Sequence, residues 1–472
     1  MRHIALGLIA LACATAAHAQ PQQTPPPVAE ISAEQQRTVE RLRSAALESD
    51  LAYDLVEDLV TSVGPRLAAS ENEARARDWA VEMLRGQRFS NVRIEAFTMP
   101  YWDAVREGGW IISPSHQPMV LAALGGSAPT PAEGLEAEVV RFTSLAELDA
   151  APNSAVANRI VFIDERMVRA QDGSGYGSAV AKRGRCAPMA HAKGAVACII
   201  RSVGTDTHRF AHQGGNVRQP EGVAIPAAAI SPADADILGR LAQRGAARVR
   251  LNIQTDVREN APSGNVIAEI PGRERPNEIV LLAAHLDSWD MGQGAIDDGA
   301  GVAIITAAAK LIRDLPRRPR RTIRILLAGA EENGVWGGRD YGRVHGSDNH
   351  VVAAESDFGA GRIWRFTTRF NDDALPYARA IQRQLAPLGI ILGDNEAGGG
   401  ADIFAVAQAG AAIADLDQDG TDYFDYHHTP NDTMAAIDPE ALRQNVAAWA
   451  VFAYLVADND WNLTPTPAAP AQ

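Results

Sequence analysis

At 472 residues the chain is longer than one ordinary core, so two domains, or one domain carrying a large insertion, is the expectation. Hydrophobic residues at 46% and charged residues at 22% make a globular composition and exclude a disordered chain. A formal net charge of -14, with no lysine or arginine stripe interleaved with aromatics, excludes nucleic acid and anionic membrane surfaces as partners.

The chain opens MRHIALGLIALACATAAHAQ: a basic start, an apolar stretch too brief to span a bilayer comfortably, then Ala17, His18 and Ala19. This pattern predicts a signal peptide over 1–19 and an exported protein, periplasmic or extracellular. No second long apolar run follows, so stable membrane insertion is not expected. Cys186 and Cys198 remain in the mature chain, and an oxidising compartment would permit one bridge. The proline-rich lead 20–30 and the tail 462–472 are expected to be disordered.

Ser32, with Gln35 at capping-box spacing, opens a segment whose apolar positions recur at helical spacing through Leu59. The stretch VGPRLAAS then breaks it; Arg75 to Leu84 reads as a second helix and NVRIEAF as a strand. Between 115 and 250 the texture changes: short apolar runs such as RIVFID, VACIIR and AIPAAAIS alternate with glycine-rich loops and one helical stretch, ADADILGRLAQRG. It reads as a mostly β module inserted into a main domain formed by 31–114 and 251–461. His191, His208 and His212 lie there without ligand spacing, so surface or packing roles are expected. After Ser263 the runs NVIAEIPG, EIVLLAAH, TIRILLAGAE and AAIADLD alternate with helical segments, the signature of an α/β fold with a mostly parallel central sheet flanked by helices.

Each polar cluster of that region follows one of the apolar runs, where the loops of an open α/β sheet build sites. His285 and Asp287 end EIVLLAA; Asp297 and Asp298 precede a helix starting near Gly299. Glu331 and Glu332 end TIRILLAGA, Asp357 closes VVAAESD, and His427 and His428 stand in DYHHTPNDT. Singly, such residues are sheet-edge polar groups or N-caps. Together, two adjacent acid pairs and two histidine sites repel one another unless cations neutralise them, and mixed histidine and carboxylate donors point to zinc, with Mn2+ or Co2+ able to fill the same shell.

HLDSWDMGQGAIDDG, AEENG, ESD and HHTPNDTM, in that order, resemble the co-catalytic dizinc exopeptidases, most of all their carboxypeptidase Q-like group of dipeptidases and aminopeptidases. GPRLAAS resembles an early loop of that group and the 115–250 insert a protease-associated domain. The resemblance implies two zinc ions per chain, one held by His285, Asp297 and Asp357, the other by Asp297, Glu332 and His428, with Asp297 bridging. It also implies a cis peptide between Asp297 and Asp298, and a zinc metallopeptidase that hydrolyses dipeptides or short peptides with a metal-bridging hydroxide. Asp287 is expected to accept the remaining imidazole hydrogen of His285, and Glu331, which is not a ligand, to act as general base. Aminopeptidase relatives carry a tyrosine before a Ser-Asp-His motif where this chain has GGGADIF; Asp402 matches its acid, the tyrosine and histidine are missing, and the oxyanion donor is left unassigned, with Tyr426 as a substitute candidate. Homodimerisation is left open. The rival readings are a catalytically inactive binding ectodomain of the same architecture and a glutaminyl cyclase-like enzyme.

Overall fold

The computed structural model describes residues 26–215 and 224–465. The predicted signal peptide lies outside them, as does most of the predicted lead and tail. The inner ends of both are seated rather than disordered. Ala29 N donates to Pro376 O at 3.0 Å, and the buried Leu463 accepts from Asn371 N at 3.1 Å. Main-chain bonding to neighbouring loops outweighs the proline-rich composition there.

The sheet explains why the apolar runs are nearly continuous. Strand Arg275–His285 pairs in parallel with Arg321–Ala328 on one side and Asn349–Glu355 on the other, and Asn349–Glu355 pairs in parallel with Ala412–Gln418. Each face is covered, so successive residues go to different cores: Val280, Leu282 and Ala284 enter one cluster, Leu281 and Ala283 the opposite one. Helices Ala33–Leu47, Leu51–Ser62, Ala300–Arg313 and Pro439–Ala457 supply the first face, and Tyr341 with Ile403 and Val406 the second. Ser32 makes the expected capping box. The helical periodicity through Leu59 is divided at Glu48 to Asp50, where the Ser49 hydroxyl takes the Leu51 N–H and competes with helix bonding.

Two long antiparallel strands, Ser90–Ser113 and Arg248–Ile270, pair from Ser90↔Glu269 to Ser113↔Arg248 with four register shifts along the way. The segment between them extends the same sheet through Leu135–Phe142, Ile160–Ile163, Ala197–Arg201 and Ala227–Ile230, each parallel to the next. It is mixed rather than mostly β, because helix Gly175–Ala192 joins the expected Pro232–Arg244. Its sequence, GYGSAVAKRGRCAPMAHA, hides the helix: glycines and an internal Pro188 lower propensity, and burial against the sheet outweighs them. Cys186 and Cys198 are joined as a disulfide between this helix and the adjacent strand.

Gln444, fully buried in Pro439–Ala457, accepts from Ile363 N at 2.9 Å and donates to Ile363 O at 2.8 Å, tying the helix to the sheet. Gln444→Leu leaves both main-chain groups unpaired and should cost about 1–3 kcal/mol, read as a lower urea midpoint; an unchanged midpoint would show that the bonds are replaced.

Candidate metal centre

All the predicted site residues stand at one edge, where the parallel strands end. His285 is the last residue of Arg275–His285; Glu331 and Glu332 follow Arg321–Ala328; Asp357 follows Asn349–Glu355. Asp297 and Asp298 turn the chain into Ala300–Arg313, and their peptide bond is cis. His427 and His428 follow the short helix Tyr423–Tyr426.

Asp297 lies at the centre. Its Oδ1 is 3.3 Å from His285 Nε2, and its Oδ2 is 3.1 Å from His428 Nε2. His285 Nε2 is also 3.4 Å from Asp357 Oδ1, and His428 Nε2 is 3.0 Å from Glu332 Oε2. The carboxylate therefore separates two clusters, each built from one imidazole and one further acid. His427 stacks on His428 with ring centroids 3.6 Å apart and its Nε2 is 3.5 Å from Asp297, but Glu332 pairs with His428.

The neighbouring residues hold this arrangement in place. Asp298 accepts from His285 N at 3.0 Å and Gly301 N at 3.1 Å, so both its oxygens hold main-chain donors although it lies within 4.8 Å of the His285 and Asp357 donor atoms. A Cβ on Gly301 would meet Ser356 O at 2.0 Å, so the helix entry needs glycine. Asp432 accepts from Ile296 N at 2.7 Å, fixing the residue before Asp297. Asp287 meets His285 Nδ1 with its main-chain oxygen at 3.0 Å and with Oδ1 at 3.7 Å, while its carboxylate also accepts from Glu331 N at 2.9 Å and Glu332 N at 3.2 Å. Two main-chain donors compete better for a buried carboxylate than one ring N–H already served by a carbonyl.

Arg66, within GPRLAAS, escaped the sequence reading. It is fully buried and donates to Leu286 O at 2.7 Å, Gln293 O at 2.7 Å, Gly294 O at 2.9 Å and Gly64 O at 3.1 Å. Both ends of the loop between His285 and Asp297 thus hang on one guanidinium. The intervening segment also enters the site. Gln213 N donates to His428 O at 3.0 Å, Gln213 O lies 3.1 Å from His428 Nδ1, and His212 Nδ1 is 2.8 Å from His427 O. His212, fully buried, therefore packs as expected, against the histidine loop. Tyr426 lies apart from the cavity of about 310 Å³ that contains Asp297, Glu331, Glu332 and His428; Tyr176 and Tyr423 line it instead.

Burial acts against charge on every one of these groups, and the outcome depends on neighbours. Burial pushes His285 and His428 down, but the charge of Asp357 holds His285 well above the usual imidazole range, and that of Glu332 lifts His428 to about 9. Burial pushes Asp297 up, and the adjoining imidazoles of His285 and His428 outweigh it, leaving it well below the carboxylate range. Burial, with Asp357, Glu332 and Asp402 adding to it, raises Glu331 well above that range. The donors fit a cation better than they fit each other: Asp297 Oδ2 and Glu332 Oε1 are buried without a hydrogen-bond partner among the described residues. Imidazole nitrogens and carboxylate oxygens converging in this way suit zinc and similar divalent ions.

Known proteins share this framework. Residues 265–453 match the model of peptidase family M28. Carboxypeptidase Q of Bos taurus is 36% identical over 412 residues, which span 86% of this chain and 85% of its own. A solved peptidase M28 precursor from Shewanella amazonensis SB2B superposes with a TM-score of 0.90 at 48% identity, covering 92% of this chain and 99% of that one. A zinc aminopeptidase of Bacillus subtilis reaches 0.63 at 21% identity, covering 87% and 95%, which supports the fold alone.

Arg66→Met keeps length and removes every donor, stranding buried carbonyls of the 286–294 loop. Stability should fall by about 3 kcal/mol or more, and zinc affinity with it, measured by denaturation and by competition with a chelating dye. Wild-type zinc affinity in the variant would show that the loop holds its shape without the guanidinium.

Proposed function

The chain belongs to peptidase family M28 and is a zinc metallopeptidase, and on that premise we propose an exopeptidase acting on dipeptides or short peptides with two zinc ions per chain. His285, Asp297 and Asp357 would hold one ion, and Asp297, Glu332 and His428 the other. The observation that carries this reading is the position of Asp297, whose two oxygens face different histidines.

When bound, such ions supply Lewis acidity toward a carbonyl and lower the pKa of water. The rest falls to the chain. Glu331 lines the cavity and belongs to neither cluster, so it takes the proton of the attacking water and returns it to the leaving amine. Asp287 divides the work of the two glutamates by pinning both of their amides, which sends Glu332 to His428 and leaves Glu331 facing the cavity. Gln213 O receives the His428 Nδ1 hydrogen and presents Nε2 to the clusters. Burial and the surrounding carboxylates hold the Tyr423 hydroxyl well above the usual phenol range, so it stays protonated and serves as a donor to an oxyanion.

Residues 115–250 form the inserted module in this reading, lying between the paired ends of the two long strands. Export to the periplasm or beyond is supported by the Cys186–Cys198 bond, which an oxidising compartment favours. No helix among the described residues is long and apolar enough to cross a membrane.

Glu331→Gln preserves shape and removes the proton acceptor. Zinc content should stay at the wild-type level while turnover of dipeptides falls by roughly two orders of magnitude; loss of zinc with partial activity would mean that Glu331 and Glu332 exchange roles. Release of free amino acids from dipeptides, abolished by chelation and restored by zinc, tests the reading as a whole. Cyclisation of N-terminal glutamine without peptide cleavage would replace it.

A further inference from the structure

Tyr176, Val180 and Arg183 fall on one face of helix Gly175–Ala192 and line the cavity shared with Asp297, Glu331 and Glu332. Arg183 is only 3% exposed. Its Nη1 donates to the Tyr176 hydroxyl at 3.1 Å, while Nε and Nη2 have no hydrogen-bond partner among the described residues. No carboxylate among them forms an ion pair with it. The guanidinium is nevertheless closely seated: a Cβ on Gly214 would come within 2.6 Å of its Nε and Cζ.

A buried guanidinium has given up its water, and a neutral phenol oxygen does not replace it. The acids that share the cavity are assigned elsewhere, Asp297 and Glu332 to cations and Glu331 to proton transfer. What Arg183 lacks is an anion that arrives with the substrate. We propose that Arg183 receives the α-carboxylate of the residue being released, so that the enzyme cleaves where the scissile bond is the last in its chain, dipeptides above all. This rests on the exopeptidase reading.

The chemistry of the substrate agrees. In a dipeptide the carboxylate is one Cα away from the scissile nitrogen, so a cation meant for it must share the cavity with the reacting groups, as Arg183 does. A planar guanidinium whose Nε and Nη2 are unpartnered offers paired N–H donors that match a carboxylate and not a neutral amide. In a longer peptide cut from its amino end that position holds a neutral carbonyl, and the buried charge would stay unanswered. A cavity of about 310 Å³ is at the small end of ligand sites and suits a substrate of about two residues.

The test compares zinc-loaded wild type with Arg183→Met and Arg183→Lys on a small panel of dipeptides and the C-terminal amides of the same dipeptides. Wild type should prefer the free acid in kcat/KM by about tenfold or more, the scale of a buried charged hydrogen bond. In Arg183→Met that preference should collapse toward unity, mainly through KM, and Arg183→Lys should restore part of it. Melting temperature and zinc content establish that each variant is folded; should Met fail to fold, the wild-type ratio and the Lys variant carry the test. Equal wild-type rates on acid and amide, or a proportional loss on both in the variants, would overturn the assignment while leaving the peptidase intact. Hydrolysis of neither substrate by wild type would overturn the exopeptidase reading, and this inference with it.

Discussion

The centre of the molecule depends on one carboxylate. Asp297 presents one oxygen to His285 and the other to His428, and the two imidazoles come from segments far apart in sequence. Nothing in a hydrophobic core asks for such a group. Much of the surrounding structure serves to hold it: Asp298 pins the strand end and the helix entry, Asp432 pins Ile296, and Arg66 ties the preceding loop at both ends. A buried acid cluster is costly unless it is neutralised, so the investment in polar scaffolding points to cations as its occupants.

The intervening segment is as much a part of this centre as the sheet. Gln213 orients His428, His212 fixes the carbonyl of His427, and helix Gly175–Ala192 brings Tyr176 and Arg183 to the cavity wall. The long strand pair Ser90–Ser113 and Arg248–Ile270 joins the two, because it continues one sheet from the parallel strands into the segment. Reaction groups and substrate-facing groups thus come from different parts of the chain and are held in one frame.

The fold, and the gathering of the polar clusters at the strand ends, were largely legible in the sequence. Runs such as EIVLLAAH are buried on both faces and so read as parallel strands, and polar residues ending them are conspicuous. The residues that were not legible share a physical reason: their roles depend on contacts between distant positions. Arg66 looks like a loop arginine until Leu286, Gln293 and Gly294 close around it, and Arg183 sits in a glycine-rich stretch whose helix is made by burial. Spacing places Asp287 near His285, but cannot tell that its main-chain oxygen comes closer to the ring than its carboxylate, which also holds the amides of Glu331 and Glu332. The sequence left the oxyanion donor unassigned, with Tyr426 as a candidate, and the short helix turns Tyr423 rather than Tyr426 into the cavity.

The most direct measurement is anomalous diffraction at the zinc edge from crystals of the zinc-loaded protein. The account predicts two peaks, each about 2.0–2.2 Å from a different oxygen of Asp297, one beside His285 and Asp357 and the other beside His428 and Glu332. A single peak, or a second one that Asp297 does not reach, would contradict it.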